Sequence, residues 1–148
     1  MRRAVEVGHV GHKHPKAGLA RGDALRARAD AHRWSAFLSS DVHAAFWPVF
    51  MRSHDTRDNS DAARRAAADA GHDLVRKQFG LLDRHFDGRT HIVDGGRSVT
   101  DAYALSIMRW AWKLQPGSLE AFPNVQTLHD RLAADPAVQT VLAREARG

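Results

Sequence analysis

From about residue 23 onward, apolar side chains along this chain recur at helical spacing. Trp34, Phe37, Leu38, Val42, Ala45 and Phe46 follow one another at intervals of 3, 1, 4, 3 and 1, one face of a 3.6-residue helix. Pro48 predicts that this helix weakens or ends there, because proline removes a backbone donor and crowds the preceding turn. Arg52 to Ser60 is polar and reads as a loop. A second helix is expected from about Asp61, where an alanine-rich stretch leads into Leu74, Val75, Leu81, Leu82 and Phe86. Asp87-Gly88 stops it, since glycine takes the left-handed cap without strain. Thr90 to Gly96 reads as a short extended connection.

Ser98-Val99-Thr100-Asp101 has the spacing of a capping box, with Asp in the position more often held by Glu. Ser98 can cap the amides of the next helix, and Asp101 can reach back to the amide of Ser98. Such a cap is worth about 0.5–2 kcal/mol. The helix it opens carries Ala102, Leu105, Ile107, Met108 and Trp110 and is apolar on most sides, which predicts a buried central helix. Pro116-Gly117 ends it. Pro123-Asn124 starts a fourth helix with Val125, Leu128 and Leu132 inward. Asp135-Pro136 closes that helix and opens a fifth, because proline is tolerated in a first helical turn. No alternating pattern predicts paired strands. The expected fold is all-α, a five-helix bundle of residues 22–148 preceded by an irregular N-terminal tail over residues 1–21, which Gly8, Gly11, Pro15 and Gly18 interrupt.

Composition narrows the functional classes. The chain has 148 residues, 43% hydrophobic and 26% charged, with ten histidines and no cysteine. That suits one globular domain and excludes a disulfide scaffold, a zinc finger and a cysteine nucleophile. No apolar run approaches the roughly 20 residues of a membrane span, and Met1-Arg2-Arg3 does not open a secretory signal, so a cytoplasmic protein is expected. The net charge of +5 is dispersed among acids, and no nucleic-acid partner is expected. His9, His12 and His14 in the tail could touch a metal, but a structural zinc site holds four fixed ligands, so no metal is assigned. There is no G-x-S-x-G elbow and no phosphate-binding loop after Gly95-Gly96.

Four stretches, in order, resemble the C-terminal helical domain of bacterial, beta-like glutathione S-transferases. They are Trp34 to Phe50, Ile92-Val93-Asp94-Gly95, Ser98-Val99-Thr100-Asp101-Ala102-Tyr103, and Phe122-Pro123-Asn124-Val125 onward through Asp135-Pro136-Ala137-Val138. The resemblance covers about residues 22–146. It implies a five-helix C-terminal domain, glutathione as co-substrate, small hydrophobic electrophiles as the other substrate, and homodimers. It also implies an N-terminal thioredoxin-like domain as the glutathione-holding partner. Residues 1–21 are too few to supply that domain, since one βαβ unit alone takes about 30 residues. The chain is therefore expected to be a transferase-like half, inactive alone. The alternative is an inactive helical module for dimerisation or protein interaction.

The resemblance assigns His43 a place facing glutathione, within Asp41-Val42-His43-Ala44-Ala45-Phe46. Ala44 stands where the family has a lysine. Imidazole titrates near neutrality and can bond a thiolate or carboxylate. Trp47, Phe50, Met51 and Trp110 are the candidates for the wall of the electrophile pocket; ordinary core packing is the competing reading for each. Trp47 is expected to share the face of His43, four residues before it. Of Trp110 and Trp112, which face different sides of their helix, one is expected in the core and the other in the cleft. Tyr103 reads as a packing residue, and Ser98 and Asp101 as the structural capping box.

Overall fold

The computed structural model describes residues 8–11, 13–20, 25–53, 56, 58, 60–114 and 118–147. Among these the secondary structure is helical, with no strand. Helix α1 (Leu25–Phe37) runs into a π-helical turn over Leu38–Val42, then α2 (His43–Ala45) and α3 (Trp47–Phe50). Next come α4 (Asp61–His85), α5 (Val99–Leu114), α6 (Pro123–Ala133) and α7 (Pro136–Glu145). Pro116-Gly117, the expected end of α5, lies outside the described residues.

The first predicted helix is thus one path with two irregularities. The hydroxyls of Ser39 and Ser40 both donate to the carbonyl of Ala36, at 3.1 and 2.7 Å. Serine back-bonding of this kind competes with the helix ladder and bends it, and the widened turn begins there. The turn places Leu38 and Val42 fully in the core. Pro48 does not end the helix. It sits in the first turn of α3, where its missing N–H costs nothing, and the break falls two residues earlier, at Phe46.

Helix α4 starts at Ser60, whose hydroxyl accepts from the amide of Ala63 at 3.2 Å. Gly71 faces α3: a Cβ there would lie 2.7 Å from Val49 Cγ2 and 3.2 Å from the Val49 nitrogen. The two backbones come this close only because Gly71 has no side chain. Helix α5 is the central element, burying Thr100, Tyr103, Leu105, Ile107, Met108 and Ala111 among others. Asp135 caps α7 through the amides of Ala137 and Val138, at 2.8 and 3.4 Å.

The segment between α4 and α5 is a series of bends rather than an extended strand, and Gly95 and Gly96 adopt φ of 91° and 113°. It is fixed at Ile92 from both sides. The Ile92 amide donates to Asp101 Oδ1 at 2.9 Å, and its carbonyl accepts from His85 Nε2 at 2.7 Å. The N-terminal arm is more regular than its glycines suggest. Residues 8–11 are helical, Pro15–Ala17 form a 3-10 turn, and the Leu19 carbonyl accepts the Val99 amide at 3.2 Å. The arm thereby satisfies one of the amides that the start of α5 leaves open.

Candidate functional site

The π-helical turn delivers His43 beside α5. Its Nδ1 lies 3.0 Å from the hydroxyl of Tyr103, and its ring meets Trp110 edge-to-face at 4.9 Å. Phe46 and Phe50 also meet Trp110 edge-to-face, at 5.8 and 5.6 Å, and stack on each other at 5.7 Å. Such arrangements point the positive ring edge at the negative face and add about 0.5–1.5 kcal/mol per pair beyond area burial. The cluster spans the boundary of the core. Phe46 and Tyr103 are buried, His43 and Trp110 are half-buried, and Phe50 is exposed.

Of the sequence-predicted site residues, the structure therefore brings His43, Phe50 and Trp110 together. Trp47 and Met51 lie beside them in the chain and are exposed, at 43% and 48%. The helix is interrupted at Phe46, between His43 and Trp47, and Phe50 of α3 meets Trp110. Ala44 is exposed and offers no charge. Trp110 packs on the core and touches His43 at once, while Trp112 is exposed and stacks on His129 at 6.3 Å.

Tyr103 does more than pack: it is the partner of His43. In a neutral imidazole one nitrogen accepts and the other donates. Where the phenol donates to Nδ1 the ring proton sits on Nε2, and where Nδ1 donates the phenol oxygen accepts, so the tautomer of His43 and the direction of this bond are set together. The sequence held no signal for this pairing, because 60 residues separate the partners.

Asp101 is fully buried and Ser98 nearly so, at 0% and 2% exposure. The amide and the hydroxyl of Ser98 both donate to Asp101 Oδ2 at 2.7 Å. With the Ile92 amide on Oδ1, the carboxylate accepts three bonds from its own chain. That geometry suits a cap and leaves little for a general base to do. The Ser98 hydroxyl spends its proton on Asp101.

Two further polar residues escaped the sequence reading. His85 stacks on Trp34 with ring centroids 3.7 Å apart. Burial pushes its imidazole below the usual range, with Arg89 and Arg33 acting the same way and the Ile92 carbonyl opposing them. Asp83, near the end of α4, accepts the amides of Asn124 and Val125 at 2.8 and 3.0 Å, capping α6 from another helix. Among the described residues no group of three or more His, Asp or Glu could hold a metal. His9 and His14 are exposed, and His12 lies outside the described residues. No described helix is long and apolar enough to cross a membrane.

Residues 39–136 match the family described as glutathione S-transferase, C-terminal domain, and the chain belongs to that family. Its fold and sequence make it a glutathione S-transferase-like protein. It is 27% identical over 142 residues to glutathione S-transferase GST-4.5 of Xanthomonas campestris, covering 96% of this chain and 68% of that protein. The solved structure of a sphingomonad glutathione S-transferase complexed with glutathione superposes with a TM-score of 0.81 at 25% identity, over 99% of this chain and 68% of that one. Elongation factor 1-gamma of Sus scrofa is 30% identical over 126 residues, which is 82% of this chain and 28% of the factor.

Proposed function

We propose that this chain is the helical, electrophile-binding half of a glutathione transferase. In this reading His43, Phe50 and Trp110 form the wall against which a small apolar electrophile rests. His43 hydrogen-bonds the glutathione thiolate or a carboxylate, oriented by Tyr103. The observation that carries the reading is the cluster itself: an imidazole held by a buried phenol, next to rings that are half open to water. The relatives named above, one of them complexed with glutathione, support it.

The remaining contacts to glutathione would come from a thioredoxin-like domain, the part the family resemblance pairs with this one. Conjugation needs the thiol held, ionised and aimed at the electrophilic carbon, and positioning supplies much of the rate. His43 alone, without the family's lysine at position 44, cannot supply that. The chain by itself should bind glutathione no more tightly than about 1 mM, which already needs about −4.1 kcal/mol. Titrating glutathione while following the His43 imidazole signals by NMR tests this. Saturable shifts in the millimolar range support the reading; unmoved His43 signals at all concentrations overturn it.

The likeness to elongation factor 1-gamma, a protein not named as a transferase, favours a second reading as an interaction module. Leu74, Leu81 and Trp112 are large apolar side chains open to solvent. On this reading the chain self-associates or docks through them. Light scattering decides: a monomer at high concentration counts against self-association.

A further inference from the structure

A cavity of about 190 Å³ shares only Phe46 with the aromatic cluster and lies between α4, α5 and residues 118–122. Phe79, Leu119 and Phe122 supply apolar wall. Among the described lining residues His72, Arg76 and Ser118 are polar and none is acidic. The Ser118 hydroxyl oxygen is buried and makes no hydrogen bond among the described residues. Leaving such a group unbonded is costly, and a buried polar atom without a partner calls for an explanation. Arg76 is exposed and His72 half-buried, and among the described residues neither side chain makes a hydrogen bond or ion pair.

Size and chemistry together specify an occupant. An apolar cavity of roughly 150 Å³ holds benzene, so there is room for one six-membered ring. A guanidinium, a hydroxyl and an imidazole, without an opposing acid among the described lining residues, select an anion able to accept hydrogen bonds. We propose that this cavity binds a one-ring aromatic carboxylate. Its ring would sit among Phe46, Phe79 and Phe122, and its carboxylate would accept from Arg76 and, once the Ser118 side chain turns toward the cavity, from Ser118 Oγ. The site is separate from the glutathione reading and does not depend on it.

Benzoate is the probe and benzyl alcohol the neutral control, each titrated into the isotopically labelled chain by NMR. Benzoate should give saturable shifts at His72, Val75 and residues 118–122, with a dissociation constant of about 1 mM for so small a ligand. Ser118→Ala should weaken it about tenfold, as for a lost bond to a charged group. Arg76→Gln should weaken it about three- to fivefold, because that cation is exposed, and should leave benzyl alcohol unchanged. Ala121→Phe, at an exposed lining position, should plug the site while the spectrum stays dispersed. Equal affinity for benzoate and benzyl alcohol, shifts that never saturate, shifts centred on His43 instead of His72, or normal binding to the plugged variant would each overturn the proposal.

Discussion

The two ends of α5 use their side chains in opposite ways. At its start Asp101 is wholly buried and its carboxylate is taken up by the amides of Ile92 and Ser98 and the hydroxyl of Ser98. Further along, Trp110 gathers His43, Phe46 and Phe50 into a cluster whose outer rings stay open. The first end commits every polar group to the fold. The second keeps an imidazole and aromatic surface in reach of a ligand. Tyr103 joins them: it is buried two residues after Asp101 and reaches His43. A cap can be changed only at the expense of stability, whereas the aromatic end can be altered with the fold intact.

The strongest challenge to that contrast is Asp101→Ala. It orphans three donors, two of them on the nearly buried Ser98. Each buried donor left unbonded costs about 1–3 kcal/mol, so a net loss of about 2–4 kcal/mol is expected, above the range of an exposed cap. Urea unfolding measures it; a loss below about 1 kcal/mol would mean that water replaces the carboxylate. Gly71→Ala comes next and strikes the support of the aromatic end. The new methyl meets Val49 at 2.7 Å. Overpacking of about 1–3 kcal/mol outweighs the helix propensity gained, about 1 kcal/mol. The near-ultraviolet circular dichroism of the Phe46–Phe50–Trp110 group should change with it.

A smaller effect follows from His85. Its folded imidazole titrates below the usual value of 6.5, chiefly through burial. As pH falls through the unfolded value, the unfolded chain takes up a proton that the folded chain refuses. Stability should therefore be fully present above pH 6.5, fall as pH drops below it, and level off beneath the folded value. His85→Gln should flatten the slope of melting temperature against pH in that window. The carboxylates of Asp130 and Asp135, both shifted down from 3.8, act only at more acidic pH. The mildest change is Tyr103→Phe, about 0.5–1.5 kcal/mol for one hydrogen bond. Its diagnostic readout is the ¹⁵N shifts of the His43 ring, which should move toward a mixture of tautomers. Unchanged shifts would show that Tyr103 does not set the proton's place.

What could be read from the sequence was local. The start of α4 at Asp61, the placement of α5 after Ser98, and the proline starts of α6 and α7 follow from caps and turn residues within a few positions. What escaped was made by distant partners or by irregular helix. The π-helical turn and the break at Phe46 interrupt the predicted helix, and Phe50 of α3 meets Trp110. The pairing of His43 with Tyr103, the close approach of Gly71 to Val49 and the stacking of His85 on Trp34 all join separate elements. Periodicity says which face is buried, not which residue waits opposite. The family resemblance supplied His43 and Trp110 as candidates; the partner of His43 came only from the structure.

Asp83 carries a consequence of another kind. An acid near the C-terminal end of α4 opposes the dipole of its own helix, yet it satisfies the Asn124 and Val125 amides at the start of α6. Phe122, at the α6 N-cap position, makes no side-chain cap, so the first turn of α6 is held from another helix. Helix ends ordinarily fray and exchange their amide hydrogens with solvent at little cost. Here the amides of Asn124 and Val125 can open only when α6 parts from α4, and their exchange should report the separation of two helices instead of the loosening of one.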